Sequence, residues 1–319
     1  MPRDGGMPRD GGVSRDGGRP RGIGREIRTE GSFRRVAVFG GVYSNHLALA
    51  ATLEDARARG AEAIFCLGDL GGFGPHPDRV FPLLIDGGVR VMRGNYDDSL
   101  ARGRDDCQCG YTDPRDEHFA RISYRYAFDA TSERWKRWMG RLPDSLRIRM
   151  GDAEVLMCHG SPRRMNEFLW ETTTSTDFLS HLADRYRADL LLATHTGIPW
   201  IRRLPEGRAF ANVGVIGRPA NDGRPEVWYV MLSARSERRH AVARARPAPE
   251  ATSVGRPGSP PEVAPVEIEL VPVPYDHERL AGEMREEGLP EEFVETILTG
   301  WWTTCLEVLP AKERARGRY

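Results

Sequence analysis

Apolar residues in this chain gather into short runs that lack helical spacing and stop at a polar residue flanked by glycine. The run 63–67 meets Gly68 and Asp69, and the run 89–93 meets Gly94, Asn95, Tyr96 and Asp97. The run 154–158 meets His159, Gly160, Ser161 and Pro162, and the run 189–193 meets Thr194, His195, Thr196 and Gly197. Runs of this kind read as buried strands. Helical spacing separates the earlier ones: residues 46–59 follow the capping types Ser44 and Asn45, and residues 77–86 begin with Pro77. With a first strand at 35–39, the alternation of strand and helix predicts an α/β fold.

Further along, 115–127 and 132–141 have helical patterns, and Trp135 and Trp138, three apart, are expected to pack into the core. Residues 146–150 and 154–158 alternate around Gly151-Asp152 and predict a hairpin that delivers His159. Residues 167–174 are expected as a substrate-facing loop, followed by a helix at 176–186. Strands at 200–203 and 208–212 are assigned to a second sheet, which 228–232 is expected to continue. Residues 226–232 and 266–273 form a predicted hairpin, helices follow at 277–287 and 290–298, and Trp301-Trp302 is expected to pack the tail on the body.

Composition shifts divide the chain. Residues 1–33 open with a polar Arg-Asp-Gly-Gly repeat that buries too little surface to offset its ordering entropy, so a disordered tail is expected there. One domain spans 34–234, an Arg-, Pro- and Ser-rich disordered insertion spans 235–264, and 265–319 completes the domain with its last strand and C-terminal helices. The 46 basic and 46 acidic residues balance, which gives no signal for nucleic acid. No run approaches the roughly 18 apolar residues of a membrane span, and the start of the chain has no apolar core of a signal peptide. With five cysteines and no such signal, a cytoplasmic, reducing setting is expected, with Cys107 and Cys109 as free thiols on a loop over the site. His46 reads as a partly exposed first-turn residue and His76 as a loop residue at the cleft rim.

The strand ends carry the chemistry. Asp69 falls just past the carboxyl end of a buried strand, where open α/β sheets bind ligands. A carboxylate there needs a partner, because an ion buried alone costs several kcal/mol. Asn95, His159 and His195 end three other strands, and Asp, Asn and His together are ligand types for one metal. Arg163 and Arg164 follow directly, and either bidentate phosphate binding or an ordinary surface position accounts for them.

These motifs resemble those of the calcineurin-like metallophosphoesterases, most closely the small bacterial branch related to diadenosine tetraphosphatase. The resemblance runs over about residues 34 to 300. It rests on Gly68-Asp69 with the loop through Pro75, Gly94-Asn95, His159 to Pro162, Thr194 to Gly197, and the turn Asn212 to Pro219. It implies an α/β/β/α sandwich of two mixed sheets, with metals at the sheet edge and hydrolysis of phosphate esters or anhydrides. It also implies that Asp69, Asn95, His159 and His195 are the ligands of the second metal.

The chain departs from that pattern at the first metal. Gly41 and Tyr43 stand where the family has the Asp and His of a D-x-H motif, Gly197 replaces a second histidine, and Tyr96 replaces the histidine that assists the leaving group. All private ligands of the first metal are missing together, whereas random loss would strike both sites. The expectation is therefore one divalent ion (Mn, Fe or Zn), with Tyr43, Tyr96 and Arg163 serving a small phosphorylated substrate such as a nucleotide. Two His and one carboxylate also compose the ligand set of mononuclear non-haem iron oxidoreductases, and an inactive metal-binding regulatory protein is the third reading.

Overall fold

The computed structural model describes residues 24–235 and 265–314. Two mixed sheets face one another. One sheet comprises β1 (Glu26–Ser32), β5 (Ser145–Met150), β6 (Ala153–Cys158), β7 (Leu190–Ala193), β9 (Ala209–Asn212) and β8 (Trp200–Arg203), in that spatial order. The other comprises β11 (Val266–Val273), β10 (Val227–Ala234), β2 (Arg35–Phe39), β3 (Ala63–Cys66) and β4 (Arg90–Val91).

The strand period of two sorts side chains between layers. Val36, Val38, Phe65 and Leu67 point between the sheets, where they meet Ile148, Met157, Leu192 and Ala211 of the opposite one. Their neighbours Ala37, Phe39, Ile64 and Cys66 point outward, onto α1 (His46–Ala58) and α2 (Val80–Asp86). There Phe81 stacks on Trp135, ring centroids 4.6 Å apart, and meets Trp138 edge-on. On the far side Leu156, Cys158, Leu191 and Ala193 lie under Leu179 and Leu182 of α6 (Thr176–Tyr186). The result is the expected four-layer α/β/β/α sandwich, whose buried aliphatic and aromatic side chains each contribute about 1.5–3 kcal/mol.

Two expectations about the strands change. Glu26–Ser32 is a strand rather than part of an unstructured tail: it pairs in parallel with β5, which takes Ile27 opposite Leu146. The polar repeat itself, residues 1–23, lies outside the described residues, as does 236–264. β10 belongs to the β2–β3 sheet and does not continue the other: it runs antiparallel to β2, with Val230 opposite Val38. Chain order could not assign it, because the apolar pattern of β10 suits either sheet. The hairpin of β10 with β11 is present as expected, closed by Ala234 opposite Val266.

The C-terminal helices pack beside α1 and the loop after β3. Leu280 and Met284 of α7 (His277–Glu286), with Phe293 and Ile297 of α8 (Glu291–Thr299), pack on Phe73 of the loop after β3. Glu283 comes within 3.5 Å of His46, which is buried by this contact rather than partly exposed. His76 sits 3.7 Å from Glu287 on the same seam. Trp302 does anchor the tail: it is buried, and its Nε1 donates to the Pro219 carbonyl at 2.7 Å.

Replacing Phe81 with alanine removes a stacked ring from the helix-facing layer, so a stability loss of about 3–5 kcal/mol is expected. Urea unfolding followed by tryptophan fluorescence checks it, with a lowered midpoint and an unchanged slope.

Candidate metal centre

Four strands, two from each sheet, end at one place. Asp69 follows β3 in a left-handed backbone conformation (φ 59°), the kind of strain that persists where surrounding structure enforces it. The enforcement is visible. A Cβ on Gly68 would lie 2.2 Å from the Gly94 backbone nitrogen, and one on Gly94 would lie 2.2 Å from Asp69 Oδ1, so the two loops meet backbone to backbone and require glycine at both positions. Asp97, in the first turn of α3 (Asn95–Arg102), fastens them together. Its Oδ2 accepts from the Asp69 and Gly94 amides at 2.8 Å each, and its Oδ1 accepts from Leu70 at 3.0 Å. Burial, then the nearby charge of Asp69, pushes the Asp97 carboxyl up to about 6.

The histidines are oriented by carbonyls. His159 Nδ1 lies 2.7 Å from the Leu67 oxygen, and His195 Nε2 lies 3.2 Å from the Cys109 oxygen. A carbonyl only accepts, so these nitrogens carry the protons, and the other nitrogen of each ring is left as a lone pair. The two lone-pair nitrogens, His159 Nε2 and His195 Nδ1, are 3.2 Å apart, and His159 Nε2 is 3.2 Å from Asp69 Oδ2. All three acceptors lie within 4.8 Å of one another and are buried. Such a set needs something positive at its centre.

A proton can serve when no ion does. Burial opposes a charge on His159, but the charge and hydrogen bond of Asp69 together outweigh it and hold this imidazole above its ordinary range. His195 is driven down to about 3, by burial first and by the neighbouring His159 second. The donor set also fits a divalent ion: neutral imidazole nitrogens and a carboxylate oxygen, each braced from behind. Asn95 adds to the fit. Its Nδ2 donates to the Cys107 carbonyl at 2.8 Å, while its Oδ1 is buried and accepts no hydrogen bond. Cys107 and Cys109 are joined in a disulfide, which corrects the expectation of free thiols. Their loop does cover the site, and its two carbonyls hold Asn95 and His195.

Residues 35–237 match the family model for the calcineurin-like phosphoesterase superfamily domain, well over half of the chain. The chain belongs to the calcineurin-like phosphoesterase superfamily. It is 22% identical over 280 residues to the uncharacterized protein MJ0912 of Methanocaldococcus jannaschii, spanning 83% of this chain and 98% of that relative. Among solved structures, hypothetical protein PH1004 from Pyrococcus horikoshii OT3 matches with a TM-score of 0.63 at 19% identity, covering 84% of this chain and 99% of the other. A metallophosphoesterase from Sphaerobacter thermophilus matches at 0.56 and 22% identity, over 84% and 99% of the two chains. The fold is shared throughout.

The superfamily pattern has a first-metal ligand at Gly41, where this fold has no space for a side chain. A Cβ on Gly41 would meet Val215 Cγ1 at 2.4 Å and the Tyr43 ring at 2.9 Å, leaving no room for an aspartate. A Cβ on Gly197 would stand 3.5 Å from both Trp302 and Val215. Tyr43 packs against Gly217 and lines a pocket that Asp69 and His195 also line. Tyr96 lines it too, its hydroxyl 3.0 Å from Ser123 Oγ. Burial pushes both phenols well above their ordinary pKa. Arg163 does not line this pocket: its guanidinium pairs with Glu167 and lies over Phe178. The arginine in the pocket is Arg218, which sequence reasoning passed over inside the quoted turn Asn212 to Pro219. Asp97 was also missed, although its place two residues after Asn95 was the available signal.

Two outcomes are expected. Proton and cation compete for His159, so the affinity for Zn²⁺ or Mn²⁺ should fall as pH drops below the raised pKa of that ring and level off above it, measurable by calorimetry across pH. Asp97→Ala would leave three buried amides without an acceptor, a loss of about 3 kcal/mol or more in urea unfolding.

Proposed function

We propose that the protein is a phosphoesterase that works with a single divalent ion held by Asp69, Asn95, His159 and His195, on a small phosphorylated substrate, with nucleotides the first candidates. The convergence of three buried acceptor atoms at the strand ends of a superfamily member supports this reading above all. A divalent ion bound there supplies Lewis acidity and lowers the pKa of a water from near 16 to about 7.

The protein's own groups supply the rest. The Leu67 and Cys109 carbonyls fix each imidazole so that its lone pair faces inward. Asp69 is held by the Tyr96 amide, 3.0 Å from Oδ1, which leaves Oδ2 for the centre. The Tyr96 phenol stays protonated through the physiological range and shares a hydrogen bond with Ser123; with Ser123 as the donor of that bond, its own proton is free for a leaving-group oxygen. Phe73, Phe119 and Phe293 make the surrounding wall apolar, which keeps bulk water away and strengthens every polar contact inside.

The alternative of a mononuclear non-haem iron oxidoreductase draws on the same two-histidine, one-carboxylate set, with the Tyr43 phenol nearby. Metal content and oxygen dependence separate the two. Protein purified without added metal is expected to carry about one divalent ion per chain and, with Mn²⁺, Fe²⁺ or Zn²⁺, to release phosphate or cleave a bis-ester equally under air and nitrogen. His159→Ala should abolish this, and Tyr96→Phe should lower kcat by about 100-fold with little change in KM. Turnover only under air would favour the redox reading; metal without turnover would favour a regulatory protein.

A further inference from the structure

Arg218 is 7% exposed, yet no ion pair between it and a carboxylate forms among the described residues. Burial opposes its charge, and the groups about it are the neutral phenols of Tyr43 and Tyr111 and the neutral thiol of Cys305, with which it shares a hydrogen bond. Its Nε is buried and without a hydrogen-bond partner. The guanidinium carbon lies 3.6 Å from the centre of the Trp302 ring, 5.7 Å from Phe73 and 5.8 Å from Tyr43. Aromatic faces stabilise a cation only in part, so a guanidinium left this way remains a costly buried charge.

The backbone explains why it stays there. Gly217 donates to the Gly41 carbonyl at 2.7 Å and Ile216 donates to Gly40 at 3.1 Å, so the turn that ends at Arg218 is laced to the loop carrying Gly41 and Tyr43. That loop is where the superfamily pattern has the first metal's Asp and His. The same pocket that receives Arg218 exposes Asp69 and His195. A fixed positive charge therefore stands beside the proposed ion's ligands, on the loops where this chain has lost a second cation's ligands.

We infer that Arg218 is a substrate-binding residue: its buried, carboxylate-free guanidinium, set in the pocket with Asp69 and His195, receives an anionic phosphoryl oxygen of the substrate. The inference rests on the phosphoesterase reading for the identity of the anion. The planar fork suits two oxygens of one phosphoryl group, and a guanidinium already in place needs no reorganisation on binding. Tyr43 and Trp302 hold the plane of the fork, so the anion's approach is directional.

Calorimetric titration of the Mn²⁺-loaded protein with inorganic phosphate tests this without requiring turnover. Wild type is expected to bind phosphate, Arg218→Gln to bind it at least tenfold more weakly, and Arg218→Lys to recover part of the loss. The Gln variant should keep its Mn²⁺ stoichiometry and its thermal midpoint, since it removes a charge the fold does not pair; a purely structural arginine would lower the midpoint. Phosphate affinity within twofold of wild type in folded Arg218→Gln, or no phosphate binding by wild type, overturns the proposal. Should the Gln variant fail to fold, the Lys variant decides: a fivefold or greater loss supports the fork, and an unchanged affinity overturns it. Ester hydrolysis with an unchanged KM in Arg218→Gln would sink the role of Arg218 and leave the phosphoesterase reading standing. Phosphate binding that depends on Arg218, with no hydrolysis by wild type, would do the reverse.

Discussion

The meeting of two backbones, Gly68-Asp69 against Gly94, is the constraint on which the rest of the site depends. Side chains would force these loops apart, and Asp69 could not then stand between Tyr96 and His159. Asp97 makes the approach permanent by satisfying three amides that the contact would otherwise bury without partners. The arrangement spends one carboxylate on structure so that another can face the centre. It also links the sheets, because His159 and His195 arrive from β6 and β7 while Asp69 and Asn95 arrive from β3 and β4.

On the reading proposed above, fixed charge stands around that centre where the superfamily pattern has a second ion. A metal site needs carboxylates and imidazoles to attract its ion, and Gly41, Tyr43 and Gly197 provide none. In their place stand aromatic rings and a guanidinium that belongs to the polypeptide. Such a site retains positive potential whatever the supply of metal, but the potential is spread over a planar group instead of being concentrated in an ion. Its field is weaker at a single oxygen and better matched to two.

Much of this was legible in the amino-acid order, for a physical reason. Asp69, Asn95, His159 and His195 each follow an apolar run, and a polar residue at the end of a buried strand is conspicuous in one dimension because its surroundings are so uniform. Tyr43 and Gly197 were legible as absences against the superfamily pattern. What escaped depends on contacts between distant segments. Nothing beside Arg218 in sequence announces that Trp302, more than eighty positions later, will roof it. Glu26–Ser32 became a strand only because β5 offered an edge, and β10 took its sheet from the register with β2. The Cys107–Cys109 disulfide is a matter of loop geometry that a count of cysteines does not reach.

The register of β10 on β2 fixes where the hairpin with β11 turns. Ser233 lies opposite Arg35, at the start of β2, whereas Asp69, His159 and His195 gather beyond the other end of that strand, after Phe39. The last described pair of the two strands, Ala234 with Val266, therefore lies at the pole remote from the Asp69, His159 and His195 cluster. Closure there costs only logarithmically more as the excursion lengthens. That pole can accept foreign sequence, a fluorescent reporter or an affinity handle, while the pocket at the opposite pole keeps its walls.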